Sequence, residues 1–410
     1  MTPALPHGRA ADTARAERHT TNQMNHRTFL SAFNVLLPRY HGAQEYASGW
    51  LSAAHARAEA TAQGAQDPSE IEREWLPRME RLVRRYGCSP SSIGQRYTEL
   101  EDFLHQDWTR MQIFNLHESA EGRGLDTRNQ FYAAMANRAL NDFFADETAA
   151  PADLLHVTCT GYASPSAIQR LLDAKQWHTQ TRATQVYHMG CYAAVPALRV
   201  ARGLLLNPQN ASPARAEIVH TELCTLHFNP RDHRPEQLVV QSLFADGHIR
   251  YALTLAEELQ QPGFEVLAVR EEVVPNTLED MTWVPSEWGF RMTLAREVPE
   301  KIAAALPGYL QRLFTQAGEC YETARDRACF AVHPGGPRII DSVQTLLGLR
   351  EDQVAISRAL LFERGNMSSA TLPHVWARML ETPEIKAGTL IVSLAFGPGL
   401  TIAGSLFRKC

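Results

Sequence analysis

Two kinds of hydrophobic spacing alternate along this chain. In WLSAAHARAEATA (50–62) and EIEREWLPRMERLVRRYG (70–87) apolar residues recur at helical intervals among charges, which predicts surface helices. The stretch from Arg27 to about Tyr86 reads as mostly helical. A polar, irregular segment from Cys88 to about Arg128, containing HESAEGRGLDTR, predicts a loop over the body, and NQFYAAMANRALNDFFA then returns to a helical period.

The spacing changes at DLLHVTCTG (153–161), a short β-like run closed by Gly161 and Pro165 and followed by the helical SAIQRLLDA. The unit recurs. QVYHMGCYAAVPALRVARGLLL places a short strand before a glycine and a long amphipathic helix, and EIVHTELCTLHF adds another apolar run. After about Gln261 the alternation begins again: VPEKIAAALPGYLQRLF is helical, RACFAVH strand-like and GGPRIIDSVQTLLGL helical. Alternating elements in two halves predict an α/β protein whose sheets are covered by helices, divided here as 26–260 and 261–410 after a polar tail, 1–25. Gly388–Phe407 is uncharged and long enough to span a membrane, but Gly397, Pro398 and Gly399 break its centre, which predicts a buried hairpin instead.

Composition narrows the class. With 410 residues the chain is long enough for two packed units, and 40 Lys+Arg against 45 Asp+Glu exclude a polyanion-binding surface as the main feature. Seven cysteines without a CxxC pair read neither as a disulfide framework nor as a zinc site, and point to a reducing, cytoplasmic setting. The first 25 residues lack the apolar core of a secretory signal and read as a disordered tail.

Three residues carry candidate chemistry. Cys191 follows Gly190 at the start of a helix, where backbone N–H groups and the helix dipole favour a thiolate nucleophile; the plainer reading is a space-filling core cysteine. His333 ends a strand and precedes PGGP, so its imidazole sits at the strand's C-terminal end, where α/β sheets gather ligands. Such a ring can take a thiol proton and then hydrogen-bond a reacting carbonyl oxygen. Asn366, in ERGNMSSATLPHVW, reads either as a helix cap or as a second oxyanion donor.

With their flanks, these sites resemble the type III polyketide synthases, the chalcone-synthase-like branch of the thiolase superfamily. The resemblance rests on TCTGYASP (158–165), HMGCYAA (188–194), QSLFADG (241–247), VHPGGPRIID (332–341), RGNMSSATLP (364–373) and AFGPGLT (395–401). It implies a thiolase-like αβαβα five-layered fold of two similar halves, the first carrying the nucleophile Cys191 and the second His333 and Asn366, and a homodimer. It also implies an acyltransferase that loads an acyl starter from coenzyme A or an acyl carrier protein onto Cys191. Malonyl-CoA extends that starter by decarboxylative condensation, with no metal or other cofactor. Pocket roles carry over to Phe244 and Met292 as gatekeepers, and to Trp283, His227, Thr160 and Ser368 as cavity residues. Met292 stands where plant members have Phe, Trp283 where they have Gly, and His227 where they have Thr. TCTGY and HMGCYAA resemble bacterial members that make alkylpyrones and alkylresorcinols. The basic cluster that grips coenzyme A in plant members has no counterpart here, and Gln95 stands where a lysine is expected.

The alternatives are a ketoacyl synthase III-like enzyme that condenses once, with the same triad, and a catalytically silent acyl-binding scaffold. A biosynthetic thiolase would need a second cysteine near the C-terminal glycine-rich turn, where Phe396 precedes Gly397. A papain-like peptidase shares the order Cys, His, Asn, but HMGCYAA is not its CGSCW-like context.

Overall fold

Segments rich in Val, Ile and Leu on both sides of the chain become the central strands of a large mixed sheet, where both faces are covered. The computed structural model describes residues 27–64, 67–206 and 215–410, so the tail reading for 1–25 lies outside the described residues. Nine strands form the sheet: β1 (Thr28–Leu36), β4 (Asp153–Thr158), β5 (Arg182–Tyr187), β6 (Arg215–Leu223), β7 (Asp246–Leu255), β8 (Phe264–Val273), β11 (Cys329–Val332), β12 (Leu390–Gly397) and β13 (Thr401–Lys409). Two two-stranded sheets flank it, β2 (Tyr40–Ala43) with β3 (Gln95–Thr98) and β9 (Met281–Pro285) with β10 (Phe290–Leu294). The main order is β11-β12-β13-β8-β1-β7-β6-β4-β5. Its two halves are stitched by two residue pairs between β1 and β8, Phe29 with Glu265 and Leu30 with Phe264.

Among the described residues, ten helices of eight residues or more pack on this frame: α1 (Gln44–Ala62), α2 (Pro68–Tyr86), α3 (Leu125–Phe143), α4 (Ala167–Ala174), α5 (Ala194–Leu205), α6 (Pro235–Leu243), α7 (Val298–Ala317), α8 (Pro337–Leu347), α9 (Glu351–Arg364) and α10 (Thr371–Glu381). The central layer is α5 and α10, whose Leu198, Ala201, Trp376 and Met379 are buried between the half-sheets with Ile218 and Ile391. On the outer face of the first half, α1, α3 and α4 enclose Trp50, Phe131, Leu140 and Leu171. On the outer face of the second, α7 and α8 enclose Ile302, Leu310 and Val343. The result is helix, sheet, helix, sheet, helix, the five-layered thiolase-like arrangement.

Two local readings change. Thr28–Leu36 is a strand rather than part of a helical stretch; it pairs with β7 and β8, and its first four residues are buried, so no one-sided period marks it. The helix over 50–62 is not a surface helix: Trp50, Ala54, His55 and Ala60 have no exposure. By contrast α2 is a surface helix that buries only Met79 and Val83. The segment 88–128 is largely irregular but anchored, because Asp102 accepts the backbone N–H groups of Gln112, Ile113 and Phe114 at 2.8–2.9 Å. No helix among the described residues is long and apolar enough to cross a membrane, and Gly388–Phe407 folds as the buried β12–β13 hairpin.

Candidate active site

A sharp elbow carries Cys191 from β5 into the central layer. His188 (φ 62°) and Gly190 (φ 79°) turn the chain, Cys191 lies in a single 3-10 turn, and α5 follows. Glycine is required in this elbow, since a Cβ on Gly190 would stand 2.7 Å from Pro398 Cδ. Across the interface a Cβ on Gly397 would stand 2.3 Å from the Tyr192 ring, so the elbow and the β12–β13 turn interlock. This contact joins the two halves beside Cys191.

His333 follows β11, with its N–H donating to Leu394 O at 2.7 Å and its own carbonyl accepting from Gly335 at 2.8 Å. The ring is buried, neither nitrogen has a hydrogen-bond partner, and burial pulls its pKa down to about 3. Asn366 is held by backbone bonds to the segment after α6: its N–H donates to Leu243 O (3.0 Å) and its carbonyl accepts from Ala245 (2.8 Å). It is not the cap of α10, whose N-cap is Ala370. Its Oδ1 accepts the Ser368 N–H (2.9 Å) and the Thr371 hydroxyl (3.3 Å), which leaves the amide to donate toward the Cys191 thiol. Ser368 Oγ lies 3.8 Å from Cys191 Sγ and 2.9 Å from Cys159 Sγ.

The electrostatics correct one expectation. Burial pushes the Cys191 thiol up to about 12, outweighing the hydrogen bonds from Ser368 and Asn366 that favour the thiolate, so position at a helix start does not ionise it. Burial thus favours the neutral form of both the Cys191 thiol and the His333 imidazole.

A narrow cavity of about 50 Å³ opens beside Cys191. Thr160, His227, Phe244, Trp283, Met292 and Ser368 all line it with Cys191, whereas His333 and Asn366 are not among its lining residues. Its wall is stiff on one side. His227 Nε2 donates to Thr160 O (2.9 Å) while Nδ1 accepts the Phe290 N–H (3.0 Å), a pattern that only the neutral ring satisfies, and burial lowers its pKa to about 3. The ring stacks on Phe290 at 4.4 Å, and Trp283 Nε1 donates to Cys159 O at 2.7 Å. The Thr160 hydroxyl faces away from the cavity, donating to Glu222 at 2.8 Å.

Glu222 is the residue that sequence reasoning missed. Its fully buried carboxylate accepts from the Cys159 N–H (3.0 Å), Thr160 and Ser369, and burial raises its pKa against those bonds. The available signal was a pair of acids, Glu217 and Glu222, in the otherwise apolar run EIVHTELCTLHF. Cys159, Phe290 and the buried Arg96 also line the cavity without having been singled out as site residues.

Residues 78–253 match the family model of chalcone and stilbene synthases, N-terminal domain, and residues 265–410 match the C-terminal domain of the same family. The chain belongs to the chalcone and stilbene synthase family. It is a type III polyketide synthase, an acyltransferase-class enzyme. It is 29% identical over 308 residues to the 1,3,6,8-tetrahydroxynaphthalene synthase of Streptomyces coelicolor, covering 73% of this chain and 79% of that one. To the type III polyketide synthase C of Arabidopsis thaliana it is 27% identical over 351 residues, with 81% and 90% covered. The probable polyketide synthase 1 of Dictyostelium discoideum is 29% identical over 298 residues, 69% of this chain but only 9% of that protein's length. Among solved structures, a polyketide synthase from the brown alga Ectocarpus siliculosus superposes with a TM-score of 0.77 at 22% identity, over 94% of this chain and 98% of the other. That likeness concerns the fold.

Proposed function

We propose that the synthase takes an acyl starter from a thioester onto Cys191, extends it with malonyl-CoA, and closes the chain into an alkylpyrone or alkylresorcinol-type ring. The observation that supports this best is a buried thiol with the Asn366 amide directed at it, in a chain whose buried His333 imidazole has neither nitrogen hydrogen-bonded among the described residues. In the loading step the Cys191 proton passes to His333, the thiolate attacks the starter carbonyl, and the donor thiol leaves with that proton. Malonyl-CoA then loses carbon dioxide. The enolate formed on its thioester oxygen is stabilised by hydrogen bonds from His333 and Asn366, which substitute for a metal in this reading. Its carbon attacks the acyl-Cys191 carbonyl, expelling the thiolate and leaving on coenzyme A a chain two carbons longer.

The apolar lining by Phe103, Val240, Phe290 and Met292 supports an aliphatic starter of medium or long chain. In the resting state the cavity has room for only a few water molecules. The unbranched Met292 is therefore the residue that yields as the chain enters. Seven free cysteines support a reducing, cytoplasmic setting, and a homodimer completes the proposal.

The test is intact-protein mass after incubation with acyl-CoA and acyl-carrier-protein thioesters, with and without malonyl-CoA. Acylation that requires Cys191 and turns over into released pyrones or resorcinols is the expected result. Stable acylation with a single extension would replace it by the one-step condensing enzyme, and no acylation from any donor by the silent scaffold.

A further inference from the structure

Arg96, Arg128 and Arg250 are the buried arginines among the described residues, and they differ in whether every guanidinium nitrogen is used. Arg128 donates Nε to Arg123 O, Nη1 to the carbonyls of Leu226 and Phe228, and Nη2 to Glu121 O. Arg250 donates Nε to Glu217, Nη1 to Phe143 O and Nη2 to Glu147. These two are complete structural ties. Arg96, on β3, donates Nε to Gln44 Oε1 at 2.8 Å and Nη1 to Gln241 O and Phe244 O at 2.9 and 2.8 Å, which pins the C-terminal end of α6. Its Nη2 has no hydrogen-bond partner among the described residues and is not fully enclosed by protein.

Arg96 is also the one cation lining the cavity beside Cys191, and no carboxylate lines that cavity with it. Burial lowers its pKa only to about 10, so it stays charged at neutral pH. The titratable groups whose charge reaches it are Cys88 and Asp246. Burial pushes the Cys88 thiol up, and it pushes Asp246 up to about 7. The Asp246 carboxyl is in any case held by the N–H groups of Thr225 and Glu99 at 2.9 and 2.8 Å. In the cavity wall His227 is neutral, and burial pushes up the thiols of Cys159, Cys191 and Cys224. A cation enclosed without a counter-charge is costly, and an anionic ligand oxygen would complete it.

We infer that Arg96 Nη2 binds the enolate oxygen of the polyketide's own 1,3-diketone as the chain closes into a ring. The inference rests on the iterative-extension reading given above and deepens it by naming the group that steadies the cyclising chain. Two extensions leave two ketones separated by a methylene, followed by the thioester. Loss of one methylene proton delocalises a negative charge over both ketone oxygens. The oxygen nearer the thioester sits on Arg96, and the farther one attacks the thioester carbonyl. A C–O bond forms, the C–S bond breaks, and the departing thiolate takes up a proton in place of the one lost, which gives a pyrone and a free thiol.

The test uses the full-length, unaltered enzyme and a stable probe, heptane-3,5-dione, whose enolate absorbs at longer wavelength than its enol. Titration of the bound probe should show it ionising at a pH lower by about 1 or more than in free solution, so that the enolate is held about 10-fold or more tighter than the enol. If Arg96 were only a structural tie, desolvation in an apolar cavity would move the ionisation the other way. No binding, or ionisation at or above the free value, would overturn the inference. Arg96→Met should reverse the direction and Arg96→Lys should keep it; should either fail to fold, the sign on the unaltered enzyme still decides. Hexanoate that displaces a probe still in its enol form would also overturn it, assigning Arg96 to a carboxylate-bearing substrate. Failure of every thioester to acylate the enzyme would count against the extension reading, while the titration would still report on Arg96.

Discussion

Two buried polar clusters lie back to back in this enzyme and differ in how completely their hydrogen bonds are used. Behind the cavity, Glu222, Ser369, His220 and Tyr251 form a closed chain: His220 Nδ1 meets Ser369 at 3.0 Å, His220 Nε2 meets Tyr251 at 2.9 Å, and Ser369 donates to Glu222. His333 is equally buried, yet neither of its ring nitrogens has a hydrogen-bond partner among the described residues. Leaving buried polar groups unmade costs about 1–3 kcal/mol each, so such capacity persists where a substrate will use it. Burial alone therefore does not distinguish His333 from His220; the state of their hydrogen bonds does.

The strongest attack on this contrast is Cys191→Ala, which should abolish acylation from every thioester while the urea midpoint stays nearly unchanged, because the thiol makes only weak hydrogen bonds, at 3.8 Å to Ser368 and from the Asn366 amide. Any residual covalent acyl group, read by intact mass, would place the nucleophile elsewhere, with Cys159 the first residue to check. Next, His333→Gln should cut product formation by about 10²- to 10⁴-fold with little loss of stability, the range of a positioned acid–base group. A large drop in folding stability with modest loss of rate would reverse the assignment.

Acid should then weaken the scaffold. Burial holds the folded pKa of His156, His227 and His374 at about 3 and of His55 at about 4, below the ordinary value of 6.5. The unfolded chain takes up protons first. The stability these neutral rings contribute is whole above about pH 6.5 and is lost as pH falls toward 3–4, by about 2 kcal/mol per ring at pH 5. Urea titrations between pH 7 and 5 should show the midpoint falling; a midpoint that rises on acidification would contradict it. The smallest effect is His220→Phe, which takes one of two partners from the Ser369 hydroxyl and orphans that of Tyr251, and should cost about 1–3 kcal/mol in denaturant titration. Its turnover should remain within about tenfold of the parent, and a catalytic collapse would make the closed chain part of the chemistry.

The αβ alternation, the β12–β13 hairpin and the motifs around Cys191, His333 and Asn366 were legible because each depends on neighbours close in sequence: a glycine at an elbow, a PGGP stop after a strand, punctuation between two β arms. β1 was not legible. Thr28–Leu36 is buried at its start by β7 and β8, more than two hundred residues away, and a strand covered on both faces shows no alternation. The depth of α1 was hidden for a similar reason, since small alanines among charges look alike on a surface and against a packed neighbour.

At the site, local pattern singled out Cys191, His333 and Asn366, and the family resemblance supplied the six positions that line the pocket with Cys191. Neither settled their electrical state or their company. Cys191 reads as an activated thiol at a helix start, yet burial by both halves pushes it up to about 12. Glu222 reads as an ordinary strand residue, yet folding sets it beneath Cys159, Thr160 and Ser369. Motifs record what each residue is able to do; desolvation and partnership are sums over atoms distant in the chain, so only the packed structure assigns them.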